Sequence, residues 1–204
     1  MPDRRRIAVA LAGAALLLGA CAKAPSVAEE GFNGSEPSDP YAVPATPLRD
    51  TDGAAYSLTK QTTKPVTLVF FGFTNCPDIC NLVMANIASG LTRLDEEDRD
   101  EVDVVFVTTD PARDDEPTLR RYLDAFNDRF IGLTGRLGDI VGIGEAFKVY
   151  MKREPKLPTG GYNVSHTTHF FAVNSADEVP VLWSADTTPA QLAADLHLLL
   201  HPES

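Results

Sequence analysis

The sequence predicts an α/β fold in which a mixed central β-sheet carries helices on both faces. Residues 65–71 and 102–108 are continuous apolar runs, as expected of strands buried on both faces, and each leads into a stretch with helical spacing of apolar residues. Near the end of the chain, apolar runs at 168–173 and 179–183 predict a hairpin. Strands that alternate with helices and then pair as a hairpin are typical of such a mixed sheet.

The remaining elements follow from local patterns. Apolar residues recur at helical spacing between residues 78 and 94, which predicts the first helix. Acidic residues just ahead of Pro117 are a helix-start signal and predict a second helix. Residues 137–151 predict a third helix and residues 189–201 the last one. The other expected elements are short: strands at 56–58 and 130–133, and a loop rich in Pro and Gly at 156–161.

Length and charge narrow the possible functions. The chain has 204 residues, enough for one domain with a well-buried core, and 44% of them are hydrophobic. The net charge of −11 argues against nucleic acid as a partner, because a phosphate-binding surface needs an excess of basic residues. A negative balance is compatible with a basic protein partner or with a cation.

The N-terminus has the pattern of an export signal. Three arginines at 4–6 precede an apolar stretch at 7–18 that is too short to span a bilayer comfortably. The stretch ends in Leu-Gly-Ala-Cys21, which resembles the bacterial lipobox, whose cysteine is lipidated. We therefore expect a signal peptide over residues 1–20 and a lipid anchor on Cys21 at the extracytoplasmic face of a bacterial cell membrane. The alternative is an ordinary secretory signal with an incidental cysteine.

The segment after the signal predicts a tether. Residues 22–47 contain five prolines together with Gly, Ser and acidic residues, and they show little apolar periodicity. Such a composition favours a flexible linker, which we expect over residues 21–47. The folded domain would then span residues 48–204.

Two cysteines lie at the junction between the first long strand and the first helix. Cys76 and Cys80 are four positions apart, so on a helix their side chains share one face, about 5–6 Å apart at Cβ. The helix dipole and the free N–H groups of the first turn stabilise thiolates there. A cysteine pair in this position narrows the fold to a thioredoxin-like architecture, although a thioredoxin redox pair has two intervening residues rather than three.

Three roles are compatible with this pair. As a structural disulfide it would close so short a loop that the chain-entropy gain is about 2 kcal/mol, below the roughly 3 kcal/mol of a fifteen-residue loop. As a redox pair it would exchange electrons with a partner. Joined by a third ligand it would bind a metal, since thiolates with an imidazole suit Cu(I) and also hold Cu(II) or Zn(II).

Three motifs in order carry a family resemblance. They are CPDIC at 76–80, TDPARD at 109–114 and YNVSHT at 162–167. Together they resemble the SCO/SenC family over about residues 45–200. The resemblance implies a thioredoxin fold, copper binding and a part in assembling the dinuclear copper centre of cytochrome c oxidase.

The resemblance also implies a ligand set. Cys76, Cys80 and His166 match the family's copper ligands, for Cu(I), Cu(II) or both. Two positions depart from the family pattern: Asn81 stands where many members have Pro, and Ser165 replaces the usual Asp before the ligand histidine. Loss of that negative charge bears on copper affinity and redox tuning more than on copper binding itself.

Three acidic residues are expected beside the copper ligands or against a partner. Asp78 matches the family's acidic residue between the cysteines, and Asp110 and Asp114 match its DPxRD-like segment. Judged without the resemblance, Asp110 and Asp114 would serve equally well to cap the helix that follows them.

The resemblance leaves more than one function open. The first is copper delivery to the cytochrome c oxidase subunit that houses the dinuclear centre. The second is a thiol-disulfide oxidoreductase, in which Cys76 attacks a partner disulfide and Cys80 resolves the mixed disulfide. A copper or redox sensor without transfer activity is a third. Other copper chaperones and thiol reductants are further expected partners.

Four other residues are weaker candidates for a metal site. His169 lies three positions after His166, so in an extended strand it would point to the opposite face. Met84 has a soft sulfur, but its place in the helical pattern favours core packing. His197 and His201 form an i, i+4 pair that could chelate a metal, yet they lie among the leucines of the closing helix, which argues against a site there.

Overall fold

The computed structural model describes residues 31–158 and 160–202, and the folded unit begins at Phe32. The predicted signal peptide and the predicted lipidation site, Cys21, lie outside the described residues, as does the predicted tether up to residue 30. Within the described ranges, none of the helices combines the length and the apolar character that a membrane span needs.

Strands and helices alternate in the middle of the described chain, from β4 to α4, and strands predominate before and after it. In chain order the elements are β1 (Tyr41–Ala42), β2 (Leu48–Asp50), β3 (Ala55–Tyr56), β4 (Val66–Gly72), α1 (Ile79–Leu91), α2 (Glu96–Asp100), β5 (Val102–Thr108), α3 (Glu116–Asp124), β6 (Ile131–Thr134), α4 (Leu137–Ala146), β7 (Met151–Lys156), β8 (Tyr162–His166), β9 (Phe170–Asn174), β10 (Glu178–Val179), β11 (Val181–Trp183) and α5 (Pro189–Leu200). Seven strands form one sheet in the order β11-β9-β4-β5-β6-β2-β3, while β1 pairs with β10 and β7 with β8.

The strands β4 and β5 form the centre of the seven-stranded sheet. They run parallel, with a register from Val66 opposite Val102 to Gly72 opposite Thr108, and every residue of β4 is buried. On its other side β4 pairs antiparallel with β9, which pairs in turn with β11. The sheet is therefore mixed, and the two buried strands and the terminal hairpin are confirmed.

The two faces of the sheet pack against different helices. Alternate residues of a strand point to opposite faces. Leu68 and Phe70 belong to one apolar cluster with residues of α1, α3 and α5, and Val69 and Phe71 belong to another with residues of α4. The prediction of helices on both faces is thus confirmed. The carboxyl ends of β4 and β5 meet at one edge of this sandwich, where ligand sites of α/β folds form.

The structure differs from the sequence prediction after α4. The helix ends at Ala146 rather than near residue 151, and Lys148 then adopts a left-handed backbone conformation with φ of 57°. Where the sequence predicted the end of a helix and a loop, β7 and β8 form an antiparallel hairpin. Four of the six β7 residues are exposed, so the strand lacks the apolar alternation that would have predicted it.

Residues 32–47 lie on the folded unit, so the predicted tether is wrong for this part of the chain. Besides the pairing of β1 with β10, the backbone N–H groups of Asn33 and Gly34 donate to the Asp195 carboxylate at 2.9 and 2.8 Å. Trp183 Nε1 donates to the same carboxylate at 2.7 Å. Asp195 is fully buried, and a buried carboxylate needs such donors because it is costly without them.

Candidate metal centre

The two cysteines lie where β4 leads into α1. Cys76 is in the connecting loop and Cys80 in the first turn of the helix. Cys80 is fully buried, Cys76 is 7% exposed, and both are free thiols. The Cys80 backbone N–H donates to the Cys76 sulfur at 3.4 Å, so the start of the helix directs an amide hydrogen at this sulfur.

His166 completes the group from the end of β8. Its Nε2 lies 3.4 Å from the Cys80 sulfur, and its Nδ1 lies 2.8 Å from the Thr167 carbonyl oxygen. Because a carbonyl only accepts, Nδ1 carries a proton and Nε2 is the nitrogen that faces the sulfurs, where it can act as a metal ligand. Phe70 and Phe73 contact the imidazole edge to face, at centroid distances of 6.1 and 5.8 Å. One ligand atom from each of the three residues lies within 4.8 Å of the other two.

The two thiols differ in acidity. The pKa of Cys76 is lowered from 9.0 to about 4, chiefly by its hydrogen bond with the Cys80 side chain, with burial acting against the shift and His166 adding to it. The same hydrogen bond and burial raise the pKa of Cys80. At neutral pH the pair therefore holds one proton, on Cys80, and Cys76 is a thiolate.

Cys76 and His166 line a surface pocket, whereas Cys80 is fully buried. Asp78, at the N-cap of α1, is exposed there and its carboxylate makes no capping hydrogen bond. A negative charge therefore stands beside the sulfurs at the point where a cation or a partner would enter. The pocket is lined by Phe73, Cys76, Pro77, Asp78, Ile79, Asn163, Val164, Ser165, His166 and Thr168.

Asp114 holds the loop that carries Cys76. The carboxylate is fully buried and accepts three hydrogen bonds: from the Thr74 backbone N–H at 3.0 Å, from the Thr74 hydroxyl at 2.6 Å and from the Thr108 hydroxyl at 2.6 Å. Thr108 ends β5 and Thr74 lies two positions before Cys76. Asp114 thus fixes the cysteine loop to the end of the central sheet.

Asp110 holds the hairpin that carries His166. Its carboxylate is 4% exposed, accepts a hydrogen bond from the Tyr162 hydroxyl at 2.7 Å and pairs with Arg113. The Arg113 guanidinium also lies 3.9 Å from the centroid of the Tyr162 ring, a cation–π contact. Because Tyr162 begins β8, these contacts join the 109–114 segment to the strand of the histidine.

The expectation that Asp110 or Asp114 caps the next helix is wrong. Asp115 is the N-cap of α3, and its carboxylate accepts the Thr118 backbone N–H at 3.0 Å. Both Asp110 and Asp114 are instead buried, with their oxygens turned inward to Tyr162 and to the threonines. They support the ligand-bearing segments rather than presenting charge to a partner.

Comparison with known proteins assigns the family. The SCO1/SenC family model matches residues 41–201, which is most of the chain. The chain belongs to the SCO1/SenC family. This confirms the resemblance that the three motifs predicted, and the mixed sheet of the structure is the thioredoxin-like fold expected of it.

Individual SCO1/SenC relatives agree with this assignment. The mitochondrial SCO2 homolog of Danio rerio is 38% identical over 108 residues, which are 52% of this chain and 39% of that protein, so the chain spans less than two thirds of its length. The structure of Bradyrhizobium japonicum ScoI with copper bound is 30% identical, with a TM-score of 0.69, and the match covers 76% of this chain and 98% of that one. BsSco, a member of the Sco family of cytochrome c oxidase assembly proteins with an identified disulfide switch, is 25% identical, with a TM-score of 0.60 over 79% of this chain and 95% of that one.

Three residues that support the site in this SCO1/SenC chain were not singled out by the sequence. Thr74 and Thr108 hydrogen-bond to Asp114, and Tyr162 hydrogen-bonds to Asp110. A threonine near a strand end is too common to attract notice, so the sequence carries no signal for the first two. Tyr162 does stand inside the YNVSHT motif, and that position is the only signal that could have found it.

Two of the weaker candidates for a metal site, Met84 and His169, lie outside the group of copper ligands. Met84 is fully buried in the apolar cluster beneath α1, as predicted, and His169 belongs to neither of the potential ligand groups found among the described residues.

The two positions that depart from the family pattern are both on the surface. Ser165 is exposed and its hydroxyl donates to Glu154 on β7 at 2.8 Å. Asn81 is exposed on α1, so its departure from the family pattern does not touch the ligands.

Proposed function

We propose that this chain binds one copper ion through Cys76, Cys80 and His166 and delivers it to the dinuclear copper centre of cytochrome c oxidase. The observation that carries the proposal is the convergence of two sulfurs and one imidazole nitrogen within 4.8 Å of one another. Two thiolates and an imidazole form a soft to borderline donor set, which suits Cu(I) and also holds Cu(II). The family membership supports copper as the cargo rather than zinc.

The site is prepared for loading. Cys76 is already a thiolate, because its pKa is lowered to about 4, and His166 Nε2 already faces the site, 3.4 Å from the Cys80 sulfur. Loading then requires only that Cys80 lose its proton to solvent as copper enters. Release reverses this step: a partner ligand displaces one donor at a time, and Cys80 takes up a proton when copper leaves.

The surroundings of the site suit transfer to another protein. Two of the three ligands, Cys76 and His166, line a surface pocket, and Asp78 adds an exposed carboxylate to the same lining. A lipid anchor at Cys21 on the extracytoplasmic face of a bacterial membrane would hold the pocket near a membrane-bound oxidase, and the lipobox-like sequence supports that location.

Copper titration of the metal-free, reduced chain tests the ligand set. His166→Ala should weaken Cu(I) and Cu(II) binding at least tenfold, because it removes one of three donors, and Cys76→Ser should do the same. His169→Ala is the matched control, since His169 lies on the same segment but outside the site, and its affinity should equal that of wild type. Wild-type affinity in His166→Ala would disprove the three-ligand site.

Transfer itself is tested with the copper-loaded chain and the metal-free oxidase subunit that houses the dinuclear centre. After mixing, the metal content and the disulfide state of both proteins are followed by mass spectrometry. We expect copper to move to the subunit. Retention of copper by this chain, with no change in thiols on either protein, would indicate a copper sensor instead.

A second function is supported by the unequal acidity of the two thiols. A lowered pKa at Cys76 and a raised pKa at Cys80 are properties of an attacking and a resolving cysteine. The Cys76 thiolate would attack a partner disulfide and release one partner thiolate. Cys80 would then lose its proton and attack the Cys76 sulfur, which frees the second partner thiolate and leaves a Cys76–Cys80 disulfide. Two electrons pass to the partner, and an external thiol reductant restores the pair.

The two functions respond differently to one substitution. Thiol exchange needs no imidazole ligand, so His166→Ala should reduce a partner disulfide at close to the wild-type rate, whereas Cys76→Ser should abolish the reaction. Loss of reductase activity in both variants would contradict a thiol mechanism that is independent of the metal site.

A further inference from the structure

A second group of potential metal ligands lies away from the copper site. Asp98 on α2 lies between His197 on α5 and His201, the C-cap residue that directly follows this helix. One ligand atom from each of the three lies within 4.8 Å of the other two. Asp98 stands just before the start of β5, whereas the cysteines follow the carboxyl end of the parallel strand β4, so the two groups lie at opposite ends of the sheet.

The geometry of this group is close to that of a metal site. His197 Nδ1 lies 2.7 Å from one Asp98 oxygen and His201 Nε2 lies 2.6 Å from the other. The two histidines are one helical turn apart, and their ring centroids are 4.5 Å apart. Two histidines at i, i+4 on one helix face are a known chelating arrangement, and a nearby carboxylate completes a three-ligand set with one open position.

The carboxylate is fixed while the imidazoles are accessible. Asp98 is 4% exposed, and its own backbone N–H is bound by the Asp95 side chain at the start of α2. The side chains of His197 and His201 are 56% and 44% exposed. Tetrahedral coordination at zinc distances separates ligand atoms by about 3.3 Å. The imidazole nitrogens lie 2.7 and 2.6 Å from their carboxylate oxygens, so each would move outward by about 0.7 Å or less to reach that separation, which the exposure of the two rings favours.

We propose that Asp98, His197 and His201 form a second cation site, which takes a divalent ion of the zinc or copper(II) class. Two imidazole nitrogens and one carboxylate oxygen match the preferences of such ions, whereas Cu(I) prefers sulfur and Mg²⁺ or Ca²⁺ prefer an all-oxygen site. The ion takes the place of the hydrogens shared between the imidazoles and the carboxylate. A neutral ring then moves its single proton to the other nitrogen by exchange with solvent, and a protonated ring releases one proton to solvent. This site is independent of the proposed copper delivery.

Zinc titration of the metal-free, reduced chain tests the proposal by difference. Wild type and the double variant His197→Gln/His201→Gln are titrated in competition with a chromophoric chelator. The cysteine site is present in both proteins, so any zinc that it binds cancels. We expect wild type to bind one equivalent more than the double variant, and the matched control His169→Gln to bind as many as wild type. Equal stoichiometry in wild type and the double variant would overturn the proposal.

Cobalt(II) and a third variant identify the ligands. Co²⁺ in the proposed site should give visible d–d absorption without thiolate-to-cobalt charge transfer, and the double variant should lose that component alone. Asp98→Asn, which keeps the shape but not the charge of the ligand, should weaken zinc binding at this site at least tenfold. Wild-type zinc affinity in Asp98→Asn, with the cysteine site intact, would show that the carboxylate is not a ligand and would likewise overturn the three-residue site.

Discussion

The two segments that carry the proposed copper ligands are held in different ways. The cysteine loop leaves a fully buried strand, is fixed by the buried Asp114 and continues into α1, where Cys80 has no exposed surface. The β7–β8 hairpin, which ends in His166, lies outside the seven-stranded sheet, and it is held by the contacts of Tyr162 with Asp110 and by the packing of Val164 in the core. A pair of sulfurs in a fixed position therefore faces an imidazole on a more loosely attached element. We expect copper exchange to begin with dissociation of His166.

The largest expected effect on stability comes from removing the carboxylate that fixes the cysteine loop. Asp114→Ala removes a buried carboxylate and leaves the Thr74 N–H, the Thr74 hydroxyl and the Thr108 hydroxyl without their acceptor. Hydrogen bonds to charged groups contribute about 1.5–3 kcal/mol each, so the free energy of unfolding should fall by about 3 kcal/mol or more. Urea denaturation of the metal-free chain measures the change.

A neighbouring carboxylate provides the control for Asp114. Asp115→Ala removes an exposed helix cap one position away and should lower the urea midpoint much less than Asp114→Ala does. If the two variants have similar midpoints, Asp114 is not what fixes the cysteine loop, and the contrast between the loop and the hairpin loses its physical basis.

The second effect concerns whether the cysteine segment or the β7–β8 hairpin sets the pKa of Cys76. The hydrogen bond with Cys80 is the largest cause of the lowered pKa of Cys76, and His166 contributes less. In wild type the alkylation rate of Cys76 should stay nearly constant as the pH is lowered and then fall as the thiolate is protonated near its pKa of about 4. In Cys80→Ala the alkylation rate of Cys76 should begin to fall at a much higher pH, closer to the ordinary thiol pKa. In His166→Ala the pH at which the rate falls should rise by a smaller amount.

Iodoacetamide labelling of the reduced, metal-free chain provides this measurement, with the labelled residue located by mass spectrometry. The rate is recorded as a function of pH for all three proteins. A larger shift in His166→Ala than in Cys80→Ala would mean that the hairpin, and not the cysteine loop, controls the acidity of Cys76.

The third effect is expected from removing one of the contacts that hold the β7–β8 hairpin. Tyr162→Phe removes the hydroxyl that donates to Asp110 but keeps the ring between the guanidinium groups of Arg113 and Arg153, which lie 3.9 and 3.7 Å from its centroid. Loss of one hydrogen bond to a charged group should lower the free energy of unfolding by about 1.5 kcal/mol. It should also speed copper release, because His166 lies on the same strand.

Stopped-flow transfer of copper to a chelator measures the release rate, and Tyr150→Phe is the control. Tyr150 is 60% exposed and lies just before the same hairpin, so removal of its hydroxyl should leave both the stability and the release rate unchanged. If Tyr162→Phe releases copper no faster than Tyr150→Phe does, the hairpin is not what limits exchange.

The contrast between the two segments also explains what the sequence could predict. The cysteine side was largely predictable because β4 is a continuous buried apolar run that leads directly into α1. The four-residue spacing predicted both cysteines on one helix face, but Cys76 lies in the loop before α1 and only Cys80 lies on the helix. The hairpin side was not predictable, since the exposed strand β7 has no apolar alternation. His166 was assigned from the family motif, and only the fold shows that it lies 3.4 Å from Cys80, 86 positions away.

Hydrogen bonds between polar residues far apart in the sequence were the other feature that could not be predicted. Asp110 and Asp114 were placed beside the site from their motif, but their partners Tyr162 and Thr74 are 52 and 40 positions away. The same holds for Asp98, whose two histidine partners lie 99 and 103 positions further along the chain. Local patterns predict elements and faces, whereas hydrogen bonds between distant segments depend on how the elements pack.

The smallest effect tests the departure from the family pattern at Ser165. In wild type the Ser165 hydroxyl donates to Glu154 on the exposed surface, so Ser165→Ala should change the free energy of unfolding by less than about 0.5 kcal/mol. Ser165→Asp adds a negative charge on the loosely held side of the site. If this charge lies about 6 Å from the copper in a water-like dielectric, its attraction stabilises bound Cu(I) by roughly 0.7 kcal/mol and bound Cu(II), with twice the charge, by roughly 1.4 kcal/mol. Cu(II) should therefore gain about threefold in affinity over Cu(I), which lowers the reduction potential of the bound copper, as measured by redox titration. Equal potentials in Ser165→Ala and Ser165→Asp would show that the charge before His166 does not reach the metal, and that the hairpin acts on copper through position alone.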